Sequence, residues 1–80
     1  MAGYEIHFKE SSVEKDFRTI PKEDLEKILQ RIEALSEDPR PPGHEKLTGQ
    51  ERYRVRQGLY RIIYSVHDKA LTIWIVKVGH

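Results

Sequence analysis

Large apolar residues alternate with polar ones in Tyr4-Glu5-Ile6-His7-Phe8, the period of a strand with one buried face. A helical period follows. Val13, Phe17 and Ile20 fall on one stripe, and Ser11 stands three residues before Glu14, the spacing of a capping box. This predicts a helix that opens at Ser11 and is broken by Pro21, which itself suits the first turn of a second helix. In that second helix Leu25, Ile28, Leu29, Ile32 and Leu35 recur between charged residues, with the end predicted near Asp38. The segment PRPPGHEKLTG (39–49), rich in proline and glycine, reads as a loop. Strand-like runs return at 52–56, 59–66 and 71–78, joined by hairpin-sized connections. The prediction is an α+β fold in the order β-α-α-β-β-β. A helical hairpin packs on one face of a small, mainly antiparallel four-stranded sheet, in a single domain over 1–80. The first strand can pair in either direction.

Arginine recurs within these strands, in YRVRQGLYRIIYSV (53–66). If Gln57-Gly58 is a two-residue turn, Arg54 lies opposite Arg61, Val55 opposite Tyr60 and Arg56 opposite Leu59. Cross-strand partners share a face, so Arg54, Arg56 and Arg61 lie together and the apolar positions face the helices. With Asp68-Lys69 as the next turn, Tyr64 faces Ile73 and Ile62 faces Ile75 on the helix side, and Ile63 faces Trp74 on the arginine side. Like charges directly opposite repel, which an anion would relieve. The competing reading is that the arginines pair with acids such as Glu51 and lie as solvated stems.

Charge sharpens this picture. Net charge is only +1, yet residues 1–39 hold six Lys/Arg against ten Asp/Glu, and residues 40–80 hold eight against three. Acidic partners are therefore scarce in the half that carries the arginines, and a polyanion is drawn there. The acids of the second helix, Glu23, Asp24, Glu26 and Glu33, read as its solvated face. Absence of cysteine excludes disulfides and thiolate metal sites. His7, His44, His67 and His80 lack metal-ligand spacing, so no metal and no cofactor is expected. Neither a signal peptide nor a membrane span is apparent, in keeping with a cytoplasmic protein. Lys46, Arg52 and Trp74 are further candidates to meet such a polyanion. For Trp74 the alternative is packing against Ile63, and for Lys46 a solvated loop position.

The strand GLYRIIY and the final strand ending VGH, together with IPKEDLEKIL in the helical hairpin and the loop ending EKLTG, resemble the RelE-type toxins of bacterial toxin–antitoxin pairs. The resemblance covers nearly the whole chain. It implies a metal-independent endoribonuclease that enters the ribosomal A site and cuts mRNA. The RNA's own 2′-hydroxyl attacks the neighbouring phosphate, leaving a 2′,3′-cyclic phosphate and a 5′-hydroxyl. On this resemblance Arg61 holds the scissile phosphate, and Arg54 and Arg56 orient the RNA. A guanidinium is a poor general base, which favours clamping over proton transfer. Relatives continue past VGH with a short basic tail that supplies a further arginine and a candidate acid or base. Here His80 stands at that point, and its imidazole is the candidate substitute. The implied partner is a RelB-like antitoxin, in a hetero-oligomer that binds operator DNA through the antitoxin. Two other functions stay open: a ParE-like poison of DNA gyrase, and a toxin scaffold that binds its antitoxin without catalysis.

Overall fold

A computed structural model describes residues 3–49 and 51–80, except for the side chains of Ser11 and Ser12. The elements run β1 (Glu5–Phe8), α1 (Glu10–Arg18), α2 (Lys22–Leu35), β2 (Glu45–Lys46), β3 (Arg52–Gln57), β4 (Tyr60–His67), a 3-10 turn (Asp68–Ala70) and β5 (Thr72–Gly79). They form one sheet of five strands in the order β1-β5-β4-β3-β2. Four of these were expected. The extra strand is β2, a two-residue piece of the proline-rich loop, with Glu45 opposite Arg54 and Lys46 opposite Tyr53. The open direction of β1 is settled as parallel to β5, while every other pairing is antiparallel.

Burial follows the two periods. Val13 and Ile20, with Ile28, Ile32 and Leu35 of α2, close over Tyr53, Val55, Ile62, Tyr64, Val66, Ile73, Ile75 and Val78 of the sheet. Both helical segments thus contribute to the core on one sheet face. The stripe of α2 is narrower than its sequence suggests, because Leu29 remains 40% exposed. This helix also ends earlier, at Leu35, with turn bonds from Glu37 and Asp38 back to Ala34. α1 opens at Glu10, with Lys9 at its N-cap and no side-chain cap there. Lys9 explains the early start. Its N–H donates to the Ile75 carbonyl as the last rung of the β1–β5 ladder, and its carbonyl accepts the Val13 N–H as the first helical bond. Ser11 therefore lies inside the helix, not at its cap, and its side chain is outside the described residues.

Both predicted hairpin registers need correction by about two residues. Arg56, not Arg54, lies opposite Arg61, and Arg54 lies opposite Ile63. The turn is Gly58-Leu59, with Gly58 at φ +62, a conformation that favours glycine at the first central position of a two-residue hairpin. In the next hairpin His67 pairs with Thr72 across a four-residue connection that includes Leu71 in the left-handed region at φ 48. Trp74 then faces Ser65 instead of Ile63. A shift of two preserves faces, so the arginines still share one.

A bulge interrupts β5. Tyr64 pairs with Ile75 but Ile63 with Lys77, leaving Val76 as an additional residue. Strict alternation from Ile73 and Ile75 would turn Lys77 into the core and Val78 out. The bulge reverses this, and Val78 is buried while Lys77 is exposed. Beyond Ile75, β5 has run past the end of β1 and forms a sheet edge. There the Asp16 carboxylate accepts the Val78 N–H at 3.0 Å and lies 3.6 Å from Lys77 Nζ, so a helix side chain caps the edge.

Candidate functional site

On the face away from the helices, the ladders set side chains in three rows. Arg56, Arg61 and Gly79 form the row at one end of the sheet. Arg54, Ile63 and Lys77 form the next, and Arg52, Ser65, Trp74 and His7 the row farthest from the turn. The rows of Arg56 and Arg52 are four residues apart along β3, about 13 Å at the usual strand rise.

The arginines differ in what they touch. Arg54 is already neutralised: Nε and Nη2 both donate to Glu45 Oε1, at 3.1 and 2.8 Å. The acid is Glu45, not Glu51, and it reaches Arg54 because β2 lays it directly opposite. Arg56 and Arg61 face each other across the hairpin, are exposed, and have no acidic partner among the described residues. On the β5 side of Arg61 a depression of about 110 Å³ is lined by Arg61, Ile63, Lys77, Gly79 and His80. His80 rests edge-on against Tyr60, with ring centroids 5.4 Å apart. Tyr60 in turn donates to Asp24 Oδ2 at 3.4 Å, and burial, with Asp24 nearby, raises its phenol above the ordinary range. The fold thus gathers Arg56, Arg61 and His80 at one end of the sheet, with Lys77 beside them.

Lys77 was invisible to alternation, which placed it on the helix side. Its signal was the lysine itself, since an alternating strand that would bury a lysine calls for a bulge. Three expected contacts lie elsewhere. Lys46 pairs in register with Tyr53, on the helix side of the edge, and its ammonium is 3.5 Å from Glu51. Trp74 and Arg52 share the arginine face but sit in the far row. There the indole stacks on the His7 ring at 4.8 Å between centroids.

A polar network centred on Arg40 lies away from the hairpin turn. Arg40 Nη1 and Nη2 donate to the two Asp68 carboxylate oxygens at 3.2 and 2.9 Å, and Nε donates to the Tyr53 hydroxyl at 3.1 Å. The guanidinium also lies over the Tyr53 ring, 5.0 Å from its centroid. Tyr4 donates to Asp68 Oδ1 at 2.8 Å, and Tyr53 to Glu51 at 3.2 Å. Hydrogen bonds from Arg40 and then Tyr4 hold the Asp68 carboxyl below its usual range, and the same carboxylate raises the Tyr4 phenol and the Arg40 guanidinium. This network ties the N-terminal segment, the proline-rich loop and the β4–β5 connection together. Nothing in the spacing of these residues announced it.

The sequence of residues 10–80 matches the family described as the ParE toxin of the type II toxin–antitoxin system parDE. Among solved structures, a chain of the archaeal RelE–RelB complex from Pyrococcus horikoshii OT3 is 33% identical, with a TM-score of 0.84 over 99% of this chain and 94% of that one. The chain belongs to the RelE/ParE superfamily of type II toxins. Chains of the RelBE2 complex of Mycobacterium tuberculosis (23% identity, TM-score 0.84, 98% of both chains) and of the RelBE complex of E. coli (24%, 0.80, 95% and 94%) share its fold. No functionally curated protein matches the sequence.

Proposed function

We propose that this toxin is an endoribonuclease that cleaves mRNA in the ribosomal A site, with a RelB-like antitoxin as its partner. The observation that carries the reading is the Arg56–Arg61 pair: two exposed guanidiniums directly opposed, without an acid among the described residues. Opposed like charges cost up to about 1 kcal/mol, and a phosphate between them removes that cost. Arginine presents a planar fork of donors that fits phosphate oxygens.

The reaction needs little more than cations and a proton carrier. The 2′-oxygen loses its proton and attacks the adjacent phosphorus; the P–O5′ bond breaks and O5′ takes up a proton. Charge gathers on the non-bridging oxygens, where Arg56 and Arg61 stabilise it most strongly in the transition state. Lys77 adds charge at the margin, held partly by Asp16. Neither arginine takes the proton, because a guanidinium remains charged. His80 brings an imidazole to the same depression and is assigned the proton transfers. Arg54 has a lesser part here, since Glu45 already occupies it.

The partner assignment is supported by the P. horikoshii neighbour, which is a RelE–RelB complex. Gyrase poisoning is the other activity to test, given the ParE description of the matching family. The opposed Arg56–Arg61 pair favours cleavage over it, because two guanidiniums suit the charge that gathers on a phosphate in transfer.

The test is mRNA cleavage in a bacterial cell-free translation reaction, mapped by primer extension, with the chain beside its Arg61→Ala and Arg56→Ala variants. A-site cuts that vanish with either substitution support the reading. Gyrase inhibition without cleavage overturns it.

A further inference from the structure

We infer that the row formed by Arg52, Ser65 and Trp74 is a nucleobase-stacking subsite that holds an RNA nucleotide flanking the one gripped by Arg56 and Arg61. The inference rests on the nuclease reading and deepens it by giving the RNA strand a second, aromatic foothold.

Trp74 is the one tryptophan of the chain and is 40% exposed on a sheet face that no helix covers. One side of the indole is taken by His7 across the β1–β5 ladder, nearly parallel at an interplanar angle of 26°. The His7 ring is in turn held by the Glu5 carboxylate. Towards β4 and β3 lies a depression of about 360 Å³ lined by Glu51, Arg52, Ser65, His67 and Val76 as well as the indole, with Lys9 reaching it from the β1 side. A base laid there rests against the indole that His7 holds in place. Its edge meets Ser65 Oγ and His67 Nε2, which are 3.2 Å from each other and able to donate or accept. Its phosphate meets Arg52, which has no acidic partner among the described residues. Glu51, the acid at the rim, is engaged by Lys46 and by the Tyr53 hydroxyl.

This combination separates a nucleotide from a purely apolar ligand. The wall is aromatic on one side and cationic on the other, as in proteins that bind single strands by stacking and backbone charge. The spacing also suits one continuous strand, since the rows of Arg52 and Arg56 are about 13 Å apart on the same open face.

The full chain contains a single tryptophan, so its fluorescence reports on this position alone. The probe is a 2′-O-methyl RNA hexamer, which cannot be cleaved, followed both by Trp74 quenching and by anisotropy of an end label. Saturable quenching is expected, lost with an abasic version of the hexamer. Trp74→Ala is expected to weaken binding about tenfold, Trp74→Phe to retain most of it, and Arg52→Ala to weaken it without altering the fold seen by circular dichroism. If the hexamer binds through Arg56 and Arg61 without quenching, and Trp74→Ala binds equally well, the subsite is overturned and the arginine site stands. If there is neither binding nor ribosomal cleavage, both fall. Quenching by an acidic peptide but not by the hexamer assigns the row to a protein partner and also overturns the inference.

Discussion

Arginine is used in two regions of this molecule in opposite ways. Arg40 is fully engaged, with a two-pronged grip on Asp68, a bond to Tyr53 and a ring beneath it. Arg56 and Arg61 face each other with no acid among the described residues. The first arrangement is what a fold does with a cation for its own stability. The second has an electrostatic cost that an anion arriving from outside would relieve. Arg54 lies between the extremes, on the ligand face but already bound to Glu45. The contrast sets a guanidinium engaged by the fold against a pair left open at the surface.

The largest effect should fall on the unpartnered pair. Arg61→Ala is expected to lower ribosome-dependent cleavage by about 100-fold or more, the scale of removing one donor to a developing oxyanion. Its urea midpoint should stay level or rise slightly as the repulsion disappears. A loss of stability equal to the loss of cleavage would make Arg61 a structural residue and dissolve the contrast.

The opposite is expected of Arg40→Ala. It removes three hydrogen bonds, but the Tyr53 hydroxyl still donates to Glu51, and Asp68 is 54% exposed, so water restores part of the loss. A decrease of about 1–2 kcal/mol in urea unfolding is expected, with cleavage per folded molecule unchanged. The same network sets an acid limb. Because the folded Asp68 carboxyl titrates below its unfolded value, its contribution is complete above the ordinary carboxylate range and is lost as pH falls through the lower folded pKa. Asp68→Asn should flatten that part of the stability profile.

Tyr64 offers a smaller structural perturbation on the core side of the sheet. Its hydroxyl is buried and donates to the Pro39 carbonyl at 2.7 Å, pinning the start of the proline-rich loop. Burial pushes the phenol up to about 12 from 10.0. A raised folded pKa means that the contribution is intact below pH 10 and disappears as pH climbs towards 12. Tyr64→Phe should cost about 1 kcal/mol at neutral pH and remove this alkaline limb. An unchanged limb would assign it to another group.

The sequence disclosed faces more readily than partners, for a geometric reason. A strand's faces depend only on alternation, so Arg54, Arg56 and Arg61 could be grouped even though both hairpin registers were displaced by about two residues. The register itself hung on which residues turn. Gly58-Leu59 makes the turn because glycine takes the positive φ at the first position, and an apolar Leu59 at a hairpin tip conceals that. The α2 stripe was legible apart from its width. By contrast, Glu45 reaches Arg54 only through a two-residue strand inside a loop, and Arg40 meets Asp68 from a loop 28 residues away. Such pairings depend on where loops land in space, which no local period encodes. The bulge at Val76 was the recoverable miss, because Lys77 in a core position is a contradiction that sequence alone displays.

Arg54 gives the finest test, since it can be moved from one class to the other by changing its partner. Glu45→Gln removes the negative charge but keeps a carbonyl for the guanidinium. The Glu45–Arg54 pair is partly exposed, so the change in stability should stay within about 0.5 kcal/mol. Binding of a single-stranded oligonucleotide should respond more clearly. One freed cation that meets a phosphate steepens the slope of log affinity against log salt by about 0.7. A slope unchanged from wild type, with affinity also unchanged, would place Arg54 outside the RNA path. The ligand-facing class would then shrink to Arg56 and Arg61 with Arg52 beyond them, and Glu45 would be there to hold β2 against β3.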